Sequence, residues 1–362
     1  MNSVPLLRRG VPLAGLTTIG LGGPATRLIE ATADDQIIEA VAGADAAGEP
    51  LLLIAGGSNL VVADAGFDGT VIRILSRGVA AREVGGRVRM TVAAGEPWDE
   101  LVQGSAHDGL AGIECLAGIP GSTGATPIQN VGAYGQQVAS TVVAVRAYDR
   151  RAGCVVQLAA ADCGFGYRTS RFRSDARFVV LEVTYELERS VRARPLRYPE
   201  LARALGVGPG ERPPLAEVRE AVLALRATKG MVLSAHDPDS VSAGSFFLNP
   251  ILPADAFAAL ERRVKDRLGE AVSPPAWPER DGATKTSAAW LIERAGFPRG
   301  YGEGRVGIST KHTLALVNRG GASTAELLAL AREIRRGVSD AFAVTLEPEP
   351  TLIGVTLSSA DG

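Results

Sequence analysis

Three cysteines and three histidines in 362 residues leave little material for disulfide or metal chemistry. Cys115, Cys154 and Cys163 form no CxxC pair and are too few to staple a chain this long, which fits a reducing cytoplasm. His107, His236 and His312 stand far apart with no cysteine or carboxylate at ligand spacing, so no metal site is expected. Neither sign of charge dominates. A net charge of -2 offers nucleic acid or an acidic membrane surface no electrostatic footprint, and neither is expected as a partner. Long apolar runs are also missing. The segment after Arg8 and Arg9 is broken by Pro12 and several glycines, and no stretch reaches bilayer-spanning length, so neither a signal peptide nor a membrane helix is expected. No Gly-Lys pair exists to make a phosphate-binding P-loop, and no G-x-S-x-G nucleophile elbow occurs.

Glycine is abundant, at 43 residues, yet without the period of a collagen-like chain. The glycines cluster at turns. Periodicity predicts a helix over Asp34–Ala47, an apolar strand over Leu51–Ala55 running into the turn Gly56-Gly57-Ser58-Asn59, and strands over 70–74, 87–93, 142–149 and 178–187. Helices are predicted over 98–107, 215–227, 253–268, 286–295 and 324–342, with strands over 313–318 and 351–356. The texture changes after the basic, proline-punctuated stretch VRARPLRYPEL, and a domain boundary is placed near residue 226. The segment Met231–Ser242 reads as a surface loop without a role.

Two glycine-rich turns, AGGSN and PGSTGA, suit a diphosphate, because backbone N–H groups approach an anion closely only where side chains are absent. Either turn alone is equally consistent with an ordinary bend in which a serine satisfies its own backbone. The segment Leu116–Gly135 is more telling. It strings five glycines with Gln129 and Asn130 through a long stretch without helix or strand pattern, and long irregular loops in compact domains are usually functional. By contrast, Gly302–Gly307 spells G-x-G-x-x-G but has a helix before it and a strand after it, the reverse of a dinucleotide-binding turn.

Gly56-Gly57-Ser58-Asn59, IPGSTGATPIQNVGAYG, FGYRTSRF, AGSFFLNP and LEPE occur in an order and spacing that resembles the UDP-N-acetylenolpyruvoylglucosamine reductase family over nearly the whole chain. The resemblance implies an α+β fold. Two subdomains, 1–77 (joined by the C-terminal strand 350–362) and 78–225, would bind FAD non-covalently in the manner of the vanillyl-alcohol-oxidase flavoproteins, and a third domain, 226–349, would bind substrate. It also implies an enzyme that spends NADPH, in a ping-pong cycle, to reduce the enolpyruvyl ether of UDP-N-acetylglucosamine to UDP-N-acetylmuramate for peptidoglycan synthesis. The expected protein is a cytoplasmic monomer whose partners are small molecules.

Residue by residue, the resemblance gives Gly56, Gly57, Ser58, Asn59, Gly121, Ser122, Gly124, Gln129 and Asn130 to the flavin. Hydride addition to the enolpyruvyl β-carbon pushes charge into the carboxylate. A fixed guanidinium and a protonated carboxylic acid stabilise such charge in a dry site, and the resemblance assigns Arg168 and Glu349 to those roles. Ser245 matches the donor of the proton to the α-carbon, and a serine hydroxyl needs polarising neighbours to act so. Tyr198 in RYPEL resembles the mobile tyrosine loop of one structural type in the family. Lys229, Asn249 and Lys285 match substrate-contacting positions. Two departures stand out: Leu248 replaces a lysine of some relatives, and Pro350 follows the glutamate where a β-branched residue is usual. Two other classes compete. An alcohol or sugar-lactone oxidase often tethers FAD through a histidine that AGGSNLVVAD lacks, and a non-catalytic UDP-sugar-binding protein would hold no flavin.

Overall fold

The computed structural model describes residues 6–358, so the ends of the expected segments 1–77 and 350–362 lie outside the described residues. The chain forms two compact units. One comprises residues 6–11, 25–57 and 67–232, and the other 12–24, 58–66 and 233–358.

The first unit begins with β1 (Leu6–Pro12), β2 (Pro24–Ala31), α1 (Asp34–Ala46), β3 (Leu51–Ile54) and, after β4 (Leu60–Val62) of the other unit, β5 (Phe67–Ile74). These strands make a sheet in the order β1-β2-β5-β3, with β2 and β3 both parallel to β5. A strand flanked by parallel neighbours is covered on both faces, and β5 is accordingly buried at four consecutive positions, Gly69 to Ile72. Ile37, Val41 and Ala44 recur at helical spacing along the buried face of α1, which packs against β5.

A second sheet in the same unit is antiparallel. It draws on β6 (Val79–Val84), β7 (Arg87–Ala93), β8 (Leu110–Ala111), β11 (Val142–Asp149), β12 (Cys154–Ala159) and β13 (Phe178–Arg189), ordered β12-β11-β13-β7-β6 with β8 on the end of β13. A hairpin of β9 (Gly132–Ala133) and β10 (Gln136–Gln137) stands apart. Along β13, Val183, Tyr185 and Leu187 are fully buried while Glu182, Thr184 and Glu186 between them are not, the period of two that puts one face of a sheet on a core. The helices are α2 (Trp98–His107), α3 (Arg171–Ser174), α4 (Pro199–Ala204) and α5 (Leu215–Ala227), with α5 packed on α2.

In the second unit, β14 (Ser242–Ser245), β18 (Val306–Ile308) and β19 (Ala315–Asn318) form one sheet, and β15 (Ile251–Leu252), β16 (Trp277–Pro278) and β17 (Thr284–Lys285) another. The helices are α6 (Ala254–Leu268), α7 (Ala288–Arg294) and α8 (Thr324–Phe342), and the last strand, β20 (Thr351–Ile353), pairs in parallel with β4. The helix expected from Thr286 starts two residues later because Ser287 caps it, its hydroxyl accepting from Trp290 N at 3.2 Å. A capping box opens α8: Ser323 Oγ accepts from Glu326 N, and a Glu326 carboxylate oxygen accepts from Ser323 N at 2.8 Å. Leu327, Ala331, Ile334, Val338 and Phe342 then run down its buried face. The expected roleless surface loop 231–242 differs in one respect. Asp239 and Ser240 are buried, and the Asp239 carboxylate accepts from both the backbone and the hydroxyl of Thr310, so this segment clamps the second unit internally.

Truncating Ile334 to alanine leaves a cavity in the core, whereas Ser323→Ala removes only the cap. Urea unfolding should show losses of about 3 kcal/mol and about 1 kcal/mol respectively, and equal losses would mean that α8 does not anchor its unit through its apolar face.

Candidate active site

The two glycine turns singled out in the sequence come together in the first unit. A Cβ built on Gly56, just past the end of β3, would lie 2.5 Å from Gly121 Cα, so the two loops meet backbone to backbone with no room for any side chain. Gly124 is equally constrained, its Cβ falling 2.5 Å from Ala94 Cβ. The loop is held by its backbone: Trp98 N donates to Gly121 O, Thr123 N to Glu96 O and Gly124 N to Ala94 O. Trp98 Nε1 donates to Leu116 O at 3.1 Å, and Thr126 Oγ1 lies 2.6 Å from the Tyr185 hydroxyl.

Within that loop the side-chain oxygens of Ser122 and Thr123 are buried without a hydrogen-bond partner among the described residues. Burying a hydroxyl unpaired costs about 1–3 kcal/mol, a cost that a ligand oxygen at this position removes. Paired glycine turns that bare their backbone, with two unanswered hydroxyls beside them, fit the diphosphate of FAD. Gly56, Gly57, Gly121, Ser122 and Gly124 are therefore the residues that would hold it, and Thr123 joins them although the sequence did not single it out.

Asn130 does something else. It is buried at φ +45°, donates through Nδ2 to Gly166 O and Gln137 Oε1, and accepts from Ala139 N, so its carboxamide braces the loop internally. Gln129 beside it is half-buried. Ser58 and Asn59 belong to the second unit, where Asn59 Nδ2 donates to Glu349 O at 3.3 Å and Thr351 N donates to Asn59 O.

Arg168 sits at φ +51°, a left-handed conformation that a side chain adopts at a cost of about 1–2 kcal/mol. The tight Gly166–Thr169 turn imposes it, and Arg173 Nη1 holds the Arg168 carbonyl at 2.8 Å. The guanidinium donates to Gly132 O at 2.7 Å, and a Cβ on Gly132 would come within 3.1 Å of it. Gly132 thus keeps space for Arg168. Tyr134, another residue with positive φ, packs edge-on against Tyr198 with ring centroids 5.3 Å apart, and Lys229 Nζ stands 5.6 Å from the Tyr134 ring. Lys229 also pairs with Glu200 at 2.7 Å. Burial pushes the Tyr134 phenol up to about 12 and raises that of Tyr198. The first unit therefore gathers Tyr198 and Lys229 around Tyr134, which sequence reasoning missed although VGAYG sits inside the quoted loop.

Ser245 and Glu349 lie on paired segments of the second unit. Glu349 N donates to Phe246 O at 2.9 Å and Leu248 N to Glu347 O, so the strand carrying AGSFFL runs antiparallel to LEPE. Gly244, at φ +76°, shapes the bulge between Ser242 and Ser245. Among the described residues the Ser245 hydroxyl makes no hydrogen bond, which leaves it available to a substrate. Pro350 lies just before β20, at a strand start where no ladder donor is lost. Asn249 Oδ1 accepts from Ala288 N at 2.9 Å, capping α7, and leaves its amide nitrogen as the group able to meet a ligand. Lys285 pairs with Glu279, and its neighbours across β17 are Ile251 and Trp277. Among the described residues no cluster of His, Cys, Asp or Glu could hold a metal, and no helix is long and apolar enough to cross a membrane.

Replacing Gly56 by alanine must part the two glycine loops. The variant should purify with markedly less flavin than the parent while keeping its far-UV circular dichroism, and full flavin occupancy would show that the loop contact does not shape the cofactor site.

Comparison with known proteins agrees with this geometry. The family model for the UDP-N-acetylenolpyruvoylglucosamine reductase C-terminal domain matches residues 237–353, and that for an FAD binding domain matches 25–159. The UDP-N-acetylenolpyruvoylglucosamine reductase of Thermobifida fusca is 59% identical over 350 residues, covering 96% of this chain and 98% of the relative. That of Streptomyces coelicolor is also 59% identical, covering 96% and 90%. The crystal structure of the Thermus caldophilus reductase superposes with a TM-score of 0.64 at 25% identity, covering 96% of this chain and 99% of that one. The architecture is thus the α+β flavoprotein fold with a C-terminal domain, and the chain belongs to the UDP-N-acetylenolpyruvoylglucosamine reductase family.

Proposed function

We propose that this chain reduces UDP-N-acetylglucosamine enolpyruvate to UDP-N-acetylmuramate at the expense of NADPH, as a cytoplasmic monomer supplying peptidoglycan precursors. FAD, when bound, supplies the hydride that it has taken from NADPH. The remaining work falls to the protein. Hydride adds to the β-carbon of the enolpyruvyl double bond, a proton adds to the α-carbon, and NADPH leaves as NADP⁺, so the electron pair and both hydrogens are accounted for.

Arg168 is assigned to the substrate carboxylate, where charge develops as the double bond opens. A guanidinium already fixed by Gly132 O and by its strained turn needs no reorganisation, which is what makes such a donor effective. Glu349 is assigned as the acid that shares this charge, and Ser245 as the donor of the proton to the α-carbon. The observation that carries this reading is the backbone pairing of the Ser245 strand with the Glu349 strand through Glu349 N and Phe246 O, which fixes the two segments against each other, with the Ser245 hydroxyl unbonded among the described residues. Tyr198, Lys229, Asn249 and Lys285 are assigned to the UDP-sugar. Two charged nitrogens and a phenol suit a diphosphate and its sugar. Hydride donor and sugar substrate would use the enzyme in turn, giving ping-pong kinetics.

Ser245→Ala separates the two half-reactions. In stopped-flow measurements flavin reduction by NADPH should stay within about twofold of the parent, while reoxidation by the enolpyruvyl substrate should slow by about 100-fold or more, the range expected for loss of a general acid. Equal slowing of both half-reactions would defeat the proton-donor assignment.

A further inference from the structure

We propose that a cavity of 230 Å³ in the first unit, walled by Arg194 and Arg197, receives the 2′-phosphate of NADPH and so selects that coenzyme over NADH. Tyr134, Gly135, Gln136, Ser140 and Cys115 are among its other lining residues. The proposal rests on the reductase reading above and extends it to coenzyme choice.

The charges lining this cavity are one-sided. Neither arginine forms an ion pair among the described residues. Arg194 reaches only the carbonyl of Ser140, at 3.4 Å, and Arg197 is exposed. The buried carboxylate of Glu114, next in the chain to Cys115, accepts from the backbone nitrogens of Gly112 and Arg194 and so is committed to the wall itself. No lining group supplies a competing anion, because burial pushes both the Cys115 thiol and the Tyr134 phenol up. Two guanidinium groups facing one small cavity make a receptor for a compact anion of high charge. A terminal phosphate monoester carries nearly two negative charges at neutral pH, whereas each phosphate of a nucleotide sugar is an internal diester with one. The monoester is therefore the better match, and it is the group by which NADPH differs from NADH.

The cavity's position couples it to the site already described. The β9–β10 hairpin holds Arg168 at its Gly132 end, while Gly135 and Gln136 at its turn wall the cavity. A coenzyme anchored here by its ribose phosphate is one short hairpin away from the guanidinium assigned to the substrate. An arginine supplied for the 2′-phosphate is also how coenzyme choice is made in dinucleotide folds of other architecture.

Calorimetric titration of the purified flavoprotein with 2′,5′-ADP and with 5′-AMP tests this, using Arg194→Ala, Arg197→Ala and Arg197→Lys. The parent should bind 2′,5′-ADP at least tenfold more tightly than 5′-AMP. Each alanine variant should lose most of that margin with 5′-AMP affinity unchanged, and the lysine variant should recover part of it. In parallel, kcat/KM for NADPH should fall about tenfold and that for NADH should not move. No preference in the parent, equal loss for both nucleotides, or weakening confined to the UDP-sugar overturns the proposal, and the last result assigns the cavity to the substrate diphosphate. If the parent flavin is reduced by neither coenzyme, it is the reductase reading that fails.

Discussion

Where β3 ends, the chain at Gly56 comes so close to Gly121 that a single methyl group on the former would lie 2.5 Å from the α-carbon of the latter. Much of the first unit serves this approach. The parallel sheet delivers Gly56 at the end of a buried strand, and α2 and β7 fix the other loop through Trp98, Glu96 and Ala94. Because both partners are glycine, backbone amides rather than side chains face the space beside the contact. Ser122 and Thr123 hold buried hydroxyls there that no described residue answers. A fold that leaves such groups unpaired is built around a ligand, and the ligand that fits is a diphosphate.

The same loop then continues to the chemistry. Asn130 spends its whole carboxamide on tying Leu116–Gly135 to Gly166 and Ala139, one step from the turn that forces Arg168 into a left-handed conformation. Three of the non-glycine residues with positive φ, Asn130, Tyr134 and Arg168, fall within this network. Each costs about a kilocalorie or two per mole, and such strain survives where surrounding hydrogen bonds over-determine it. In the second unit the corresponding device is a strand pairing: Phe246 and Glu349 are bonded through the backbone, so the side chains of Ser245 and Glu349 are set by a ladder rather than by a flexible loop.

Much of this was legible in the sequence, for physical reasons that differ by element. The helices 98–107, 215–227 and 324–342 were readable to the residue because apolar spacing of 3.6 and a cap or a proline coincide at their ends. Strand β2, PATRLIEA, went unread because it carries three charged or hydroxyl side chains that find partners only in the folded sheet, such as Arg27 on Glu49. The edge strands β6 and β12 are largely exposed and lack the alternation that marks a core-facing strand. Within the site, the glycine turns were readable because backbone exposure is a property of residue type. What Asn130 and Asn249 do was not, since a carboxamide suits a ligand, a loop brace or a helix cap equally well until its neighbours are known. The contacts of Tyr134 with Tyr198 and Lys229 join positions 64 and more residues apart, which no local pattern encodes.

The central claim is that the flavin passes its electrons to an enolpyruvyl double bond. It is tested most directly by reducing the purified protein under anaerobic conditions with one equivalent of NADPH, adding UDP-N-acetylglucosamine enolpyruvate and following the flavin absorbance. The account predicts that the oxidised spectrum returns in the absence of oxygen. A flavin that stays reduced until air is admitted would contradict it and point to an oxidase.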